Sequence, residues 1–264
     1  MSRPAARIVC LGILTSCVSL CGCASYAVPG RGANLNLMAS QDAKDSAPSP
    51  GRETPADPPT AAGGDVQIDR RAATASFPAH VVVVRIQEPG YKSMTNEGIG
   101  GGRYSVIAVR DIETDEDFER LGRLPSVAEI APLSRLLLPS SFESDRELRQ
   151  AAARVQADLL LVYTVDTTFL DTNKSTPLSV LTLGFGPTID VRVITMVSAL
   201  LLDTQTGYVY GTIEETAREQ TTAAAVGTKD ACDAMRLRTE RQAFEAFVAE
   251  FETLWPRIVE THKK

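Results

Sequence analysis

Cysteine is the residue type in this chain best suited to covalent or metal chemistry, and four of the five cysteines lie between residues 10 and 23. Zinc and iron–sulfur sites need four converging ligands, usually from paired Cys-x2-Cys motifs. Only Cys232 lies downstream, and the two histidines are His80 and His262. The spacing therefore argues against a metal centre, and we expect no cofactor.

The cysteine cluster follows an uncharged apolar run over residues 8–20, preceded by two arginines. A run of this length matches the core of a signal peptide and is too short to span a bilayer as a helix. Its end, Leu20-Cys21-Gly22-Cys23, resembles the lipobox of bacterial lipoproteins. The resemblance implies that residues 1–22 are a signal peptide and that the Cys23 thiol receives a diacylglycerol; Cys17 is a weaker second candidate.

Cleavage before Cys23 would leave one acylated thiol and Cys232, so an intramolecular disulfide would be impossible. The full chain has a net charge of −6, and removing two arginines makes the mature chain more acidic. An acidic chain lacks the electrostatic footprint of a nucleic-acid-binding protein. Membrane contact would then come through the lipid anchor. In enterobacterial lipoproteins, the absence of Asp after the cysteine favours the outer membrane, and here Ala24-Ser25 follows.

Residues 24–76 are rich in Ala, Pro, Gly and Ser and contain one aromatic residue, Tyr26. Such composition buries too little apolar surface to offset its ordering entropy. We predict that residues 23–76 form an acylated, disordered tether, with an r.m.s. span of roughly 40 Å. Residues 77–264 are then one periplasmic domain.

The elements of that domain follow from hydrophobic periodicity and capping signals. We predict strands at 80–87, 103–110, 158–169 and 190–202, a hairpin partner at 208–214, and helices at 114–121, 144–157 and 229–254. The stretch 126–138 fits a short helix or an irregular segment, and Pro256 is expected to end or kink the last helix. The fold class is α/β (or α+β). It is a single mixed β-sheet with a C-terminal β-hairpin, packed against helices that include a long C-terminal one.

Two motifs invite a catalytic or ligand-binding interpretation. The glycine-rich stretch 98–102 lacks the Lys-Ser/Thr of a P-loop and the helix that must follow a dinucleotide fingerprint; a connection between strands and a binding loop both stay open. The acidic run 111–119 lacks the ligand spacing of an EF-hand and is interpreted as a solvated helix start. No nucleophile–base pair is evident, although a hydrolase that uses two carboxylates is not excluded.

The densest apolar stretch after the signal peptide is 177–202. Gly184, Gly186 and Pro187 interrupt it, so it is not a transmembrane helix. One interpretation is a core strand with a buried loop. The other is an exposed contact surface for a partner or a membrane, formed by Leu181, Leu183 and Phe185.

Two further segments, ARVQADLLLVYTVDT and ALLLDTQTGYVYG, carry a family resemblance. This pattern looks like the periplasmic α/β domain shared by curli-secretion lipoproteins, penicillin-binding-protein activator lipoproteins and the TolB N-terminal domain. The resemblance covers residues 156–213 and implies a non-enzymatic envelope lipoprotein that acts through protein contacts; it transfers no functional residues.

We therefore expect a lipid-anchored binding, assembly or regulatory factor at the outer membrane, facing the periplasm, with an envelope protein as its partner. A homo-oligomer is compatible with this expectation. The alternatives are a subunit of an outer-membrane secretion pore and a carboxylate-dependent cell-wall hydrolase.

Overall fold

Strands and helices alternate along the part of the chain that the computed structural model describes, residues 31–35, 71–172, 188–224 and 228–263. In chain order the elements are β1 (Ala79–Gln87), β2 (Gly101–Gly102), β3 (Ser105–Ile107), α1 (Asp115–Gly122), β4 (Val127–Pro132), a 3₁₀ turn (Arg135–Leu137), β5 (Ser141–Phe142), α2 (Asp145–Arg154), β6 (Leu159–Thr172), β7 (Thr188–Asp203), β8 (Val209–Ala224) and α3 (Thr228–His262).

One six-stranded mixed sheet organises these elements, in the order β3-β1-β6-β7-β8, with β4 also paired to β1. β1 pairs in parallel with β6 and β4, whereas β6, β7 and β8 are joined as antiparallel neighbours. β2 and β5 form a separate two-stranded pair. The predicted class is confirmed: a single main mixed sheet, a C-terminal hairpin and a long C-terminal helix.

The sheet has two apolar faces because successive side chains of a strand point to opposite sides. On one face, Val81 and Val83 pack with α1 and with the aromatic side chains of α3; on the other, Val82 and Val84 pack with α2. The aromatic residues that α3 adds to the first face are Phe244, Phe247, Phe251 and Trp255. The run HVVVVRIQ is therefore a strand buried on both faces, as its composition predicts.

The sequence predicts Thr114 as the N-cap of the first helix and a capping box at Ser144, and the structure has a capping box at both positions. The Thr114 N–H donates to Asp117 Oδ2 at 2.8 Å at the start of α1, and the Ser144 N–H donates to Glu147 Oε2 at 2.9 Å at the start of α2. α2 ends at Arg154, three residues before its predicted end at residue 157. Gln156 then adopts φ 59°, a left-handed conformation that turns the chain into β6.

β6, β7 and β8 are unusually long, at 14, 16 and 16 residues, against a usual strand of about five or six. β8 continues to Ala224, although its predicted span stopped at 214. Among the apolar residues of β8 whose burial is described, Tyr210 and Ile213 are buried and Ala217 is partly buried. The alternation of apolar and polar residues is thus too weak in this part of the sequence to predict the length of β8.

β3 is shorter than predicted, three residues instead of eight, because β4 pairs with the first half of β1 and leaves only Arg85–Gln87 for β3. Pro256 does not end the last helix, which continues to His262. Trp255 and Ile258 are buried on either side of it, so packing outweighs the lost backbone hydrogen bond. None of the described helices combines the length and apolar character needed to cross a bilayer.

Two stretches of the predicted tether contact the sheet. Residues 31–35, which we call the clasp, cross the α2 side, where Gly32 forms an antiparallel bridge with Gln87. Residues 71–76 lie at the β7–β8 turn, where the Thr74 N–H donates to Asp203 Oδ2 at 2.7 Å. Contacts with the sheet therefore begin before residue 77.

Candidate functional site

The α2 side of β6, β7 and β8 carries an exposed surface, which we call the open face. Strand pairing aligns Asp166, Met196 and Thr216 in one row and Thr168, Ile194 and Arg218 in the next. The opposite sides of these strands are covered by α3, where Val193 and Val197 are buried. The open face consists of Asp166, Thr168, Leu170, Arg192, Ile194, Met196, Ser198, Glu214, Thr216 and Arg218.

Apolar side chains on the open face are framed by charges of both signs. Leu170 is 43% exposed and Met196 38% exposed, and Ile194 between them is partly exposed. Arg192 extends across the strands and donates from Nη2 to Gln220 Oε1 at 3.3 Å. A patch of apolar residues with a charged rim is the usual composition of a protein contact surface.

A groove of about 450 Å³ separates the open face from the clasp. Its walls include Gly32 and Leu35 on the clasp and Asp166, Met196 and Glu214 on the sheet. The volume is in the range of small-molecule sites, but its lining mixes acidic and apolar groups along an open channel.

A second notable feature is an ionic cluster buried between β1 and α3. The Arg85 guanidinium donates from Nη1 to Asp111 Oδ1 at 2.8 Å and lies 3.7 Å from Glu113 Oε1. Its Nη2 lies 3.8 Å from Glu240 Oε2. Arg236 contacts the same Glu240 oxygen at 2.7 Å. Arg236 Nε also lies 2.9 Å from Asp233 Oδ1, so two arginines are surrounded by four carboxylates in the interior.

Hydroxyl groups add hydrogen bonds to the carboxylates of the cluster, whereas Nε and Nη2 of Arg85 are buried without a hydrogen-bond partner among the described residues. Thr95 Oγ1 donates to Asp111 Oδ2 at 2.6 Å, and Thr167 Oγ1 donates to Glu240 Oε1 at 2.9 Å. The Tyr163 hydroxyl donates to Glu113 Oε1. The cluster therefore ties the loops before and after β3 to the middle of α3.

Burial and pairing pull the pKa values of these groups in different directions. Burial alone would lower the pKa of Arg85, but the carboxylates of Glu113 and Glu240 raise it well above its ordinary value. Burial raises the pKa of Glu240 against the opposing effect of the two guanidiniums. For Asp111, burial acts upward, yet Arg85 and the Thr95 hydroxyl hold its pKa below the ordinary value.

The cluster is placed to stabilise the fold, since its charged side chains are closed off from solvent. The side chains of Arg85, Glu113 and Glu240 are at most 2% exposed. The cavity beside Arg85, Glu113 and Tyr163 measures about 40 Å³, room for a few water molecules. A general acid or base must come within hydrogen-bond reach of its substrate, and this cavity is too small for one.

The sequence-predicted site residues have different outcomes. Cys23, Leu181, Leu183 and Phe185 lie outside the described residues. The acidic run 111–119 was expected to be a solvated helix start, which is wrong in part. Asp111 and Glu113 belong to the buried cluster, and the buried Asp117 carboxylate accepts a hydrogen bond from Arg241 at 3.0 Å.

The glycine-rich stretch has a packing explanation. A Cβ on Gly100 would lie 2.3 Å from the Phe142 ring, and a Cβ on Gly102, whose φ is +100°, would lie 2.2 Å from the Phe142 carbonyl oxygen. Glycine is required here because β2 runs directly against β5. These two glycines are thus accounted for by backbone contact with Phe142, without a phosphate.

Sequence reasoning missed Arg85, Arg236 and Glu240. Two signals for them were available. Arg85 is a lone charge in an otherwise apolar strand, and Arg236 and Glu240 continue the 3/4 spacing of the apolar stripe that includes Phe244. A charged residue at a core position indicates a buried partner.

Comparison with known proteins adds little beyond these observations. No protein-family model and no curated protein matches the chain. Among solved structures, a neuraminyllactose-binding hemagglutinin homolog from Helicobacter pylori is similar, with a TM-score of 0.37, 10% identity, and coverage of 74% of this chain and 98% of that one. A PelC dodecamer from Paraburkholderia phytofirmans has a TM-score of 0.21, 14% identity and coverage of 62% and 84%. Scores this low carry no functional conclusion.

Proposed function

We propose that this protein is a lipid-anchored component of the bacterial cell envelope that binds a protein partner through the open face. Cys23 is the acylated residue, the protein faces the periplasm, and it acts as an assembly or regulatory factor without catalysis of its own. The observation that carries the proposal is the open face, where Leu170 on β6 and Ile194 and Met196 on β7 lie on the side away from α3.

The burial of the charged groups supports a binding role over an enzymatic one. Among the described residues, the carboxylates whose pKa values are displaced, Asp111, Asp117, Asp203 and Glu240, accept hydrogen bonds from neighbouring protein groups. Cell-wall hydrolysis would need two carboxylates that flank a bound sugar chain. A zymogram on peptidoglycan tests this alternative: lysis that disappears after a single Asp or Glu substitution would favour the hydrolase.

The anchor is tested by metabolic labelling with radioactive palmitate. Cys23→Ser should abolish the label and leave an uncleaved precursor, because the thiol is the acceptor of the diacylglycerol. Continued labelling of this variant would move the acylated residue to Cys17 or Cys21 and contradict the proposed processing site.

The binding surface is tested by photo-crosslinking in intact cells, with a photoreactive residue placed at Thr216 on the open face. We expect a discrete adduct, and Met196→Asp should abolish it because a charge replaces a central apolar contact. Met94→Asp is the matched control, since Met94 is a 52% exposed methionine away from the open face. An adduct that survives Met196→Asp, or that disappears equally in both variants, would argue against the open face.

A further inference from the structure

The clasp makes a specific set of contacts with the sheet. The Arg31 N–H donates to Glu88 Oε1 at 2.7 Å, and the Glu88 N–H donates to the Arg31 carbonyl at 3.2 Å. The Ala33 N–H donates to Thr164 Oγ1 at 2.7 Å. Ala33 and Leu35 are partly buried against the core of the α2 face. The clasp thus connects β1 to β6 by backbone hydrogen bonds and apolar contact.

Gly32 permits this close approach. A Cβ at this position would lie 2.9 Å from Thr164 Oγ1 and 3.3 Å from the Asp166 Cβ. A branched side chain would push the clasp away from β6, while the rest of the sheet would keep its own contacts. The clasp can therefore be opened by a single substitution that lies outside both cores.

The position of the clasp sets the length of chain between lipid and protein. Arg31 follows Cys23 by eight residues, which span at most about 29 Å in any conformation. With the clasp open, the next described contact with the sheet is at Arg71, 48 residues after Cys23, and a flexible chain of that length would have an r.m.s. span of about 38 Å and a far longer maximum. The length of chain that connects the lipid to the domain thus differs greatly between the closed and the open clasp.

We propose that the clasp holds the anchored domain against the bilayer, with the end of β1 around Glu88 as the surface that faces the lipid headgroups. This inference rests on the proposed acylation of Cys23. The occupant of that surface is the bilayer that carries the anchor, because eight residues keep Arg31, and with it the end of β1, within about 29 Å of the acylated Cys23. The long segment 36–70 then starts and ends on the domain and adds nothing to its distance from the membrane.

Energy transfer from the protein to the membrane tests this arrangement. The mature lipidated chain with Met94→Cys is labelled with a donor dye and reconstituted into vesicles of phosphatidylethanolamine and phosphatidylglycerol that contain a headgroup-labelled acceptor lipid. Position 94 lies on the loop that follows Glu88. The introduced thiol is selective because the Cys23 thiol is acylated and Cys232 is buried.

We expect strong transfer in this protein. A 30-residue Gly/Ser insertion after Pro29 and, separately, Gly32→Val should each lose about half of the transfer or more, because both lengthen the connection. Gly51→Val is the matched control: it makes the same chemical change beyond the clasp and should leave transfer unchanged. Unaltered Trp255 fluorescence in each variant confirms that the fold is retained.

Weak transfer in the starting protein, or transfer that neither the insertion nor Gly32→Val reduces, would overturn the inference while palmitate labelling still supports the anchor. Absence of palmitate labelling together with failure to bind vesicles would overturn both this inference and the proposed function. The two failures are therefore distinguishable in one set of preparations.

Discussion

Replacing Arg85 by Met tests whether the ionic cluster stabilises the fold as its geometry indicates. The substitution keeps much of the side-chain volume and removes the guanidinium that lies 2.8 Å from Asp111 and 3.7 Å from Glu113. Breaking a buried ion pair by removing one partner costs about 3–5 kcal/mol. The lower end of this range applies, because Glu240 still pairs with Arg236 and Asp111 still accepts the hydrogen bond from the Thr95 hydroxyl.

A loss of about 3 kcal/mol in the free energy of unfolding should lower the urea midpoint by about 1.5 M and the Tm by roughly 6–12 °C for a domain of this size. Trp255, the one tryptophan of the chain, is fully buried and donates to the Pro125 carbonyl at 2.8 Å. Its fluorescence therefore reports global unfolding of residues 23–264, expressed without the signal peptide and carrying Cys23→Ser.

The control is Arg110→Met, which removes an ion pair of the same 2.8 Å length at side chains that are 42% and 84% exposed. Arg110→Met should lower the free energy of unfolding by no more than about 1 kcal/mol. In a double-mutant cycle, Arg85→Met with Asp111→Asn should show a coupling energy of about 1–3 kcal/mol. Equal losses at Arg85 and Arg110, or a coupling energy within error of zero, would refute the assignment of a stabilising role.

Three smaller predictions follow from local geometry. Burial alone would raise the pKa of Asp203, but hydrogen bonds from the turn and from Thr74 lower it. The contribution of the Asp203 carboxylate to the free energy of unfolding should be complete above a pH of about 4 and lost as pH falls through the lower folded pKa. Asp203→Asn should therefore flatten the acid limb of the curve of stability against pH. Gly102→Ala should cost about 2 kcal/mol, measured by urea unfolding, because its Cβ meets the Phe142 carbonyl. Cys232 should react with maleimide only after unfolding, since it is 6% exposed in the native protein; rapid native labelling would contradict its position on the side of α3 that packs against Val193 of β7.

Local chemistry was the predictable part of this fold. The Thr114 and Ser144 capping boxes, the doubly buried β1 and the Asp203 turn each depend on neighbouring residues, and each is present in the structure. Strand lengths were not predictable, because the extent of β3 depends on β4 competing for the same edge of β1. Such competition between distant segments leaves little trace in local periodicity.

The binding surface and the ionic cluster could not be predicted from the sequence, for two different reasons. The cluster joins residues as far apart as Arg85 and Glu240, so only the tertiary fold shows that the charges are partners. The open face depends on knowing that α3 covers one side of β6–β8 and α2 only part of the other. The predicted contact residues Leu181, Leu183 and Phe185 stay a prediction.

The late position of α3 in the chain has a consequence for biogenesis. α3 supplies seven of the 21 buried residues of one core, so a polypeptide from which α3 has not yet emerged lacks the surface on which one side of β6–β8 packs. This core can then form only after α3 has emerged. Under the proposed export, a chain that stays unfolded until α3 has emerged would suit passage through a membrane in an extended state, with the native fold formed on the far side.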